Sequence, residues 1–309
     1  LEFLQANGPF DIIDAPPGLV TSWIRKFGRV VAARSIGSPV LYAKYYLKDF
    51  ERIHRGKPLR RLSTLFSSYF EKVRAIRGWA FSDVIFSLGS VEAGWMRRVF
   101  PFWRNKLKMY LHGLPLDDRK VLSEVRGRRT GRRQGEGIRF LWIGRWSAQK
   151  GNDLLLKFIA QRMKANFSDT FTVAGCGDRA EKEIPRGILT SGRVKVLPHF
   201  EREGLADLLA SHDAGLFTSP VEGWGLSLNE MLESGMPVFA VESGAVEDLK
   251  PFFPETLLFF PPPDGIAPQP DSRDVREEYY RVFDFDVIAR AYLKDIEAVM
   301  RGRARRSLS

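Results

Sequence analysis

The sequence predicts two doubly wound α/β domains, and three observations carry that expectation. Short apolar runs rich in β-branched or aromatic residues alternate with longer segments of helical spacing, the pattern of a parallel sheet wrapped by helices. The alternation stops between Ser123 and Gly137, where SEVRGRRTGRRQGEG has no apolar period and a dense run of Arg and Gly, and then restarts. At 309 residues the chain is also too long for one ordinary core.

In order along the chain, the first domain is expected over residues 1–124, with strands at FDIID, RVVAAR, SDVIFSL and KLKMYL and a helical segment from Leu62 to Arg77. A basic, flexible linker is expected over 125–137. The second domain, 138–309, is punctuated more clearly. Strand IRFLWIG is followed by a helix from Asn152 to Lys164, strands TFTVAG and RVKVLP, helix REGLADLLASH and strand AGLFTS. A helix beginning near Leu226, strand PVFAV, a short helix near Val246 to Lys250 and strand LLFF complete the alternation. A Pro-rich loop begins at Pro261, a helix spans Asp284 to Arg301, and the basic end RGRARRSLS is expected to fray. The chain opens at Leu1 in what reads as the end of a helix, so a preceding segment is expected.

Composition narrows the function classes. Apolar and charged fractions of 44% and 28% are those of a soluble globular protein. No apolar run approaches the roughly eighteen residues of a membrane span, and the start does not read as a secretory signal. One cysteine, Cys176, excludes an internal disulfide framework and fits a reducing, cytoplasmic compartment; in VAGCGD it reads as a buried filler. The net charge of +11 calls for anionic partners: nucleotide phosphates, nucleic acid or an anionic bilayer surface. Four histidines, none paired at ligand spacing, argue against zinc. Asp284 and Asp286 fit an Asp-x-Asp metal pattern, but they open a helix, where a capping Asp is expected. GCGD is half a dinucleotide fingerprint and lacks its third glycine, so hydride transfer is a weak reading.

Two stretches can carry chemistry, both at the carboxyl ends of strands, where ligands of such sheets sit. In GRWSAQKGND, after the first strand of the second domain, Arg145 and Lys150 bracket a turn at Gly144 and could hold a diphosphate. In TSPVEGWGLSLNEMLESGMPV, a glycine turn meets the helix near Leu226, with Ser227 able to cap it. The backbone N–H groups of Gly225, Leu226 and Ser227 there form an anion site at the positive end of the helix dipole. Glu222 and Glu230 flank that site and could each accept hydrogen bonds from hydroxyls, as a diphosphate between two polyhydroxylated groups requires. That describes a nucleotide sugar, with the hexose near Glu222 and the ribose near Glu230.

At this point the residues resemble the retaining family 4 (group 1) glycosyltransferases of the two-domain, Rossmann-like B fold (GT-B). Their second domain carries E-x7-E, here Glu222 and Glu230, and a G-R…K-G turn, here GRWSAQKG. The resemblance implies that Glu222 binds donor sugar hydroxyls, that Arg145 and Lys150 hold the diphosphate, and that Glu230 binds ribose. These three, Glu222, Arg145 and Lys150, are the residues expected to carry catalysis. Gly144, Leu197, Gly223, Trp224, Gly225, Leu226, Ser227 and Glu230 are expected to bind the donor, with backbone near Leu197 to Phe200 meeting the base. His199 has no residue-level match and reads as structural. The first domain resembles the family's acceptor domain more weakly, through FDIIDAPPG, VVAARSIGSP, SDVIFSLGS and MYLHGLPLD. Ile36 stands where the family often has a cleft histidine, and the family's opening strand and glycine-rich loop would precede Leu1, so this domain is expected to be incomplete.

The implied activity is metal-independent transfer of a hexose, with retention, from a nucleoside diphosphate sugar as co-substrate, without a cofactor, to a glycan, lipid-linked glycan or small-molecule acceptor. Trp95 to Lys108, WMRRVFPFWRNKLK, interleaves aromatics with cations and is read as a peripheral contact with anionic lipid at the inner face of the membrane. Two alternatives stay open: a non-catalytic nucleotide-sugar-binding relative, favoured by Ile36 and by the expected missing start, and a basic nucleic-acid-binding protein.

Overall fold

The structure, a computed structural model, describes residues 2–53, 56, 58–130, 137–165 and 167–307. The chain forms two compact units: Leu1–His112 with Val282–Ser309, and Gly113–Arg281.

The first unit is built on a parallel sheet in the order β1-β2-β3-β4, with β1 Phe10–Ala15, β2 Gly28–Arg34, β3 Val84–Leu88 and β4 Leu107–Tyr110. Both faces are covered, so the central strands read as continuous apolar runs rather than alternating ones. Successive side chains still divide between the faces. Val31, Ala33, Ile85 and Leu107 meet Trp79 of helix Pro58–Phe81 and Met96 of helix Gly89–Val99. Val30, Ala32, Val84 and Phe86 meet Ile296, Val299 and Met300 of helix Phe285–Ser307, whose Tyr292 stacks on Phe86 at 4.0 Å between ring centroids. Asp284 caps that helix by accepting the Asp286 N–H at 2.8 Å. The helix continues to Ser307, and Arg303 donates to Arg29 O and pairs with Asp83. The basic end therefore does not fray over its described residues.

The second unit carries a six-stranded parallel sheet in the order β10-β9-β8-β5-β6-β7. Its strands are β5 Arg139–Ile143, β6 Thr170–Ala174, β7 Val194–Leu197, β8 Ala214–Phe217, β9 Val238–Ala240 and β10 Leu257–Phe259. All six correspond to strands expected from the sequence. The core centres on Phe140, Phe158 and Phe171, with Phe140 and Phe171 stacked across β5 and β6. Winding runs outward in one direction through β6 and β7 and in the other through β8, β9 and β10. The strand order thus reverses between β5 and β8.

These units divide the chain differently from the expected domains. Helix Phe285–Ser307 closes the first sheet, because its apolar stripe matches the exposed face of β2 and β3. Helix Leu116–Gly127 packs in the second unit, burying Leu122 and Val125. Residues 125–130, expected to be slack, are held by their cations. Arg126 is buried, donates to Leu232 O at 2.9 Å and pairs with Asp271 at 2.8 Å. Arg129 donates to Leu209 O at 2.8 Å, His212 O at 3.0 Å and Ser234 O at 2.6 Å. These carbonyls lie at the ends of helices Leu205–Ala210 and Leu226–Glu233, where helix geometry leaves acceptors unpaired and the dipole favours a cation. Residues 131–136 of the expected linker lie outside the described residues. Among the described residues, no helix is long and apolar enough to cross a membrane.

Candidate active site

The strand order reverses between β5 and β8, and the two loops singled out in the sequence both leave the carboxyl ends of these strands, where ligands of such sheets bind. The loop after β5 is shaped by its own residues. Ser147 accepts the Lys150 N–H at 3.3 Å, and Gly151 takes a left-handed φ of 70° to start helix Asn152–Lys164. A Cβ on Gly151 would lie 1.9 Å from Thr218 O, so the turn presses directly against the start of the loop after β8. Thr218 Oγ1 locks the two together, donating to Lys150 O and accepting from Trp142 Nε1, each at 2.9 Å.

This closeness joins the key side chains. Lys150 Nζ donates to Glu222 Oε2 at 2.5 Å, and both side chains are largely buried. Glu222 Oε1 accepts the Gly223 N–H at 3.3 Å. Gly225, with φ 93°, is the residue before helix Leu226–Glu233. Its missing Cβ leaves room for the Phe217 ring, which a side chain there would meet at 2.6 Å. Gly225 thus occupies the cap position expected for Ser227, which makes no capping bond because it already lies within the first turn. The N–H groups of Leu226 and Ser227 have no intrahelical acceptor, as at any helix start. Leu226 is exposed, while Trp224 is buried with its Nε1 donating to Asn229 Oδ1 at 2.8 Å. Gly144 lies against Trp142 and the Lys150 stem. Arg145 is exposed and, among the described residues, is in no ion pair.

Glu230 is one turn into the helix and almost fully buried. Arg202 Nη1 donates to its Oε1 at 2.5 Å, while Arg202 Nη2 donates to Asp118 Oδ2 at 2.7 Å. Burial pushes the Glu230 carboxyl up, and the Arg202 ion pair opposes that shift. Beneath it lies a polar network that sequence reasoning missed. Asn229 Nδ2 donates to Tyr279 OH at 2.6 Å, Tyr279 OH donates to Glu233 Oε1 at 2.6 Å, and Tyr280 OH donates to Glu233 Oε2 at 3.2 Å. Burial raises the Glu233 carboxyl and, with Glu233 beside it, the Tyr279 hydroxyl. The network ties the EGWG turn, through Trp224 and Asn229, to helix Glu277–Phe283. The one sequence signal for it was the spacing of Asn229 and Glu233, four apart on one helix face.

Other predicted residues lie apart from this cluster. Leu197 ends β7, and its carbonyl accepts the Gly175 N–H at 2.8 Å. His199 is exposed and faces Asp178 at 3.3 Å. Cys176 is buried, with its thiol pushed up to about 11 by burial. Two cavities of the second unit sit elsewhere, one lined by Arg126, Glu255, Asp271 and Arg273, the other by Arg129, His212 and Asp213. Among the described residues, no three His, Cys, Asp or Glu side chains gather as a metal site. In the first unit Ile36 is exposed, and the loop carrying it is braced from below. Ser35 Oγ donates to buried Glu92 at 2.6 Å, and Tyr110 OH donates to Ser35 O at 2.6 Å. Burial pushes the Glu92 carboxyl up. Within Trp95 to Lys108, Trp95, Phe100 and Trp103 pack against the core and Phe102 is exposed, so most of the aromatics expected to meet lipid turn inward.

Residues 137–267 match the family model described as glycosyl transferases group 1. Among solved structures, sucrose-phosphate synthase from Thermosynechococcus elongatus is 16% identical with a TM-score of 0.64, covering 100% of this chain and 77% of that one. HepE of Anabaena, solved in complex with UDP-glucose, is 14% identical with a TM-score of 0.64, covering 96% of this chain and 81% of that one. WaaG, a glycosyltransferase involved in lipopolysaccharide biosynthesis, is 13% identical with a TM-score of 0.51, covering 97% and 75%. At these identities the likeness is one of fold. No curated protein sequence matches the chain.

Proposed function

We propose that the chain transfers a hexose, with retention, from a nucleoside diphosphate sugar to a hydroxyl acceptor, a reading supported by the match of residues 137–267 to the glycosyl transferases group 1 model and by the two-unit GT-B fold. The observation that carries this reading is the meeting of Lys150 and Glu222 beside the helix start at Leu226, at the strand reversal. An anion cradle and a hydroxyl acceptor stand there side by side. That HepE was solved with UDP-glucose supports a nucleotide sugar as donor.

In this reading Arg145, Lys150 and the N–H groups of Leu226 and Ser227 hold the diphosphate. Glu222 accepts hydrogen bonds from the hexose, and Glu230 accepts them from the ribose. Gly144, Gly223 and Gly225 let backbone approach the ligand, Trp224 anchors the turn, and backbone at Leu197 borders the base. The acceptor oxygen bonds to the anomeric carbon as the bond from that carbon to the phosphate oxygen breaks, and the acceptor's proton passes to the departing phosphate. Protein groups aimed at the leaving charge lower the barrier more than groups that bind the ground state. Lys150 serves twice: without donor it neutralises Glu222, and with donor its ammonium is shared with the diphosphate.

The test is Glu222→Ala, with binding of a nucleotide sugar and of the bare nucleoside diphosphate measured by calorimetry across UDP, GDP and ADP forms. Loss of a charged hydrogen bond worth about 1.5–3 kcal/mol weakens sugar-nucleotide binding roughly tenfold to a hundredfold. The bare diphosphate binds as well or better, since Lys150 is released. Equal weakening of both ligands rejects the assignment. Binding without turnover identifies a non-catalytic relative, and salt-sensitive RNA or DNA binding indifferent to Glu222 identifies the nucleic-acid alternative.

A second observation supports attachment to an anionic bilayer surface. Helix Pro58–Phe81 exposes Leu59, Leu62, Phe66, Tyr69 and Phe70 at helical spacing, with exposed Arg60, Arg74 and Arg77 on the same helix. An apolar stripe among cations matches an anionic headgroup layer over acyl chains.

A further inference from the structure

Arg202 was not among the expected site residues, yet it touches one of them. It opens the short turn Arg202–Gly204 after the loop that follows β7, and its guanidinium spans two carboxylates. Nη1 meets Glu230 Oε1 at 2.5 Å and Nη2 meets Asp118 Oδ2 at 2.7 Å. Asp118 belongs to helix Leu116–Gly127, so three separate elements of the second unit converge here. The terminal torsion of a glutamate is soft, and a carboxylate held on one oxygen by a planar fork loses that freedom. Glu230 Oε2 accepts no hydrogen bond among the described residues and is left for a ligand. A charge this deeply buried also needs a partner to stay ionised.

We propose that Arg202, steadied by Asp118, is a positioning residue that presents the Glu230 carboxylate to the ribose hydroxyls of the nucleotide. This rests on the assignment of Glu230 to the ribose. Arg202 acts through Glu230 and not on the phosphates.

The experiment measures dissociation constants of UDP, GDP and ADP and of their 2′,3′-dideoxy forms for the whole chain. Wild type prefers the ribose form of its nucleotide by about tenfold or more, the effect of a charged hydrogen bond. Arg202→Ala brings that preference below about threefold and leaves affinity for the dideoxy form within about twofold. Asp118→Asn, which removes only the outer partner, has a smaller effect in the same direction. In a Glu230→Gln background Arg202→Ala changes nothing further, because the two residues act as one unit. A ribose preference retained in Arg202→Ala overturns this proposal alone. Equal weakening of ribose and dideoxy forms makes Arg202 a direct anion contact and also overturns it. Tighter ribose binding in Arg202→Ala makes the arginine a competitor for Glu230 and has the same consequence. Wild-type indifference to the ribose hydroxyls overturns the assignment of Glu230 and this proposal with it.

Discussion

Gly151 offers a sharp test of how the site is assembled, because Gly177 provides a matched control. The two residues have nearly the same left-handed φ, 70° and 69°. A Cβ on Gly177 meets nothing within 4 Å, whereas one on Gly151 falls 1.9 Å from the Thr218 carbonyl oxygen and 2.7 Å from its carbon. An L-residue in this conformation costs about 1–2 kcal/mol at either position. Overfilling a tight contact adds about 1–3 kcal/mol, and here the obstacle is backbone, which cannot rotate away. Gly151→Ala is therefore expected to destabilise the second unit by about 2–5 kcal/mol and Gly177→Ala by about 1–2 kcal/mol. Urea titration followed by tryptophan fluorescence reads the difference, since Trp142, Trp146 and Trp224 are all buried in this unit. Two variants equal within about 0.5 kcal/mol would falsify the contact between the K-G turn and Thr218, because the shared φ penalty cancels.

Three further outcomes follow from the same structure. Arg129→Ala should cost about 2–3 kcal/mol in urea unfolding, since buried carbonyls at two helix ends lose a charged donor; Arg129→Lys, with no fork, should recover little, and full recovery would contradict the multidentate role. Burial raises the Glu233 carboxyl above its ordinary value near 4.5, so the folded state holds that proton more tightly than the unfolded state. Its stabilising contribution is then complete below about pH 4.5 and is lost as pH rises through the higher folded value; stability measured relative to Glu233→Gln should fall across that window, and a flat difference would refute it. Wild type should co-sediment with anionic vesicles in a salt-sensitive way, and Phe66→Ser should weaken partitioning about tenfold, given about 1.5–3 kcal/mol for burying one large apolar side chain. Equal sedimentation of the two proteins would clear helix Pro58–Phe81 of any lipid role.

Strands were legible because both sheets are buried on two faces, so Val30–Ala33, Val84–Phe86 and Phe140–Trp142 had to be unbroken apolar runs. The K-G and EGWG turns were legible because glycine at a strand end marks a backbone demand, and Gly151 and Gly225 do sit at positive φ. Which unit a helix joins is a different kind of information. The spacing of Phe285 to Ser307 specified an apolar stripe but not the sheet that receives it. Arg126 and Arg129 resembled their exposed neighbours in an arginine run; only the carbonyls of distant helix ends distinguish them. Arg202 was one of 48 basic residues, and its partners lie 28 and 84 positions away. Such pairings depend on tertiary geometry that no local pattern encodes.

The helix that covers β2 and β3 leaves the ribosome only after the whole of the second unit has done so. Residues 113–281 are complete before Ile296 and Met300 have been made, so the second unit can finish its core while the first still has a bare sheet face at Val30, Ala32, Val84 and Phe86. The usual order of vectorial folding, in which the earlier-made domain settles first, is inverted here. A nascent chain stalled near residue 281 would carry a finished second unit and a first unit with an open apolar sheet face, the kind of surface that holding chaperones recognise.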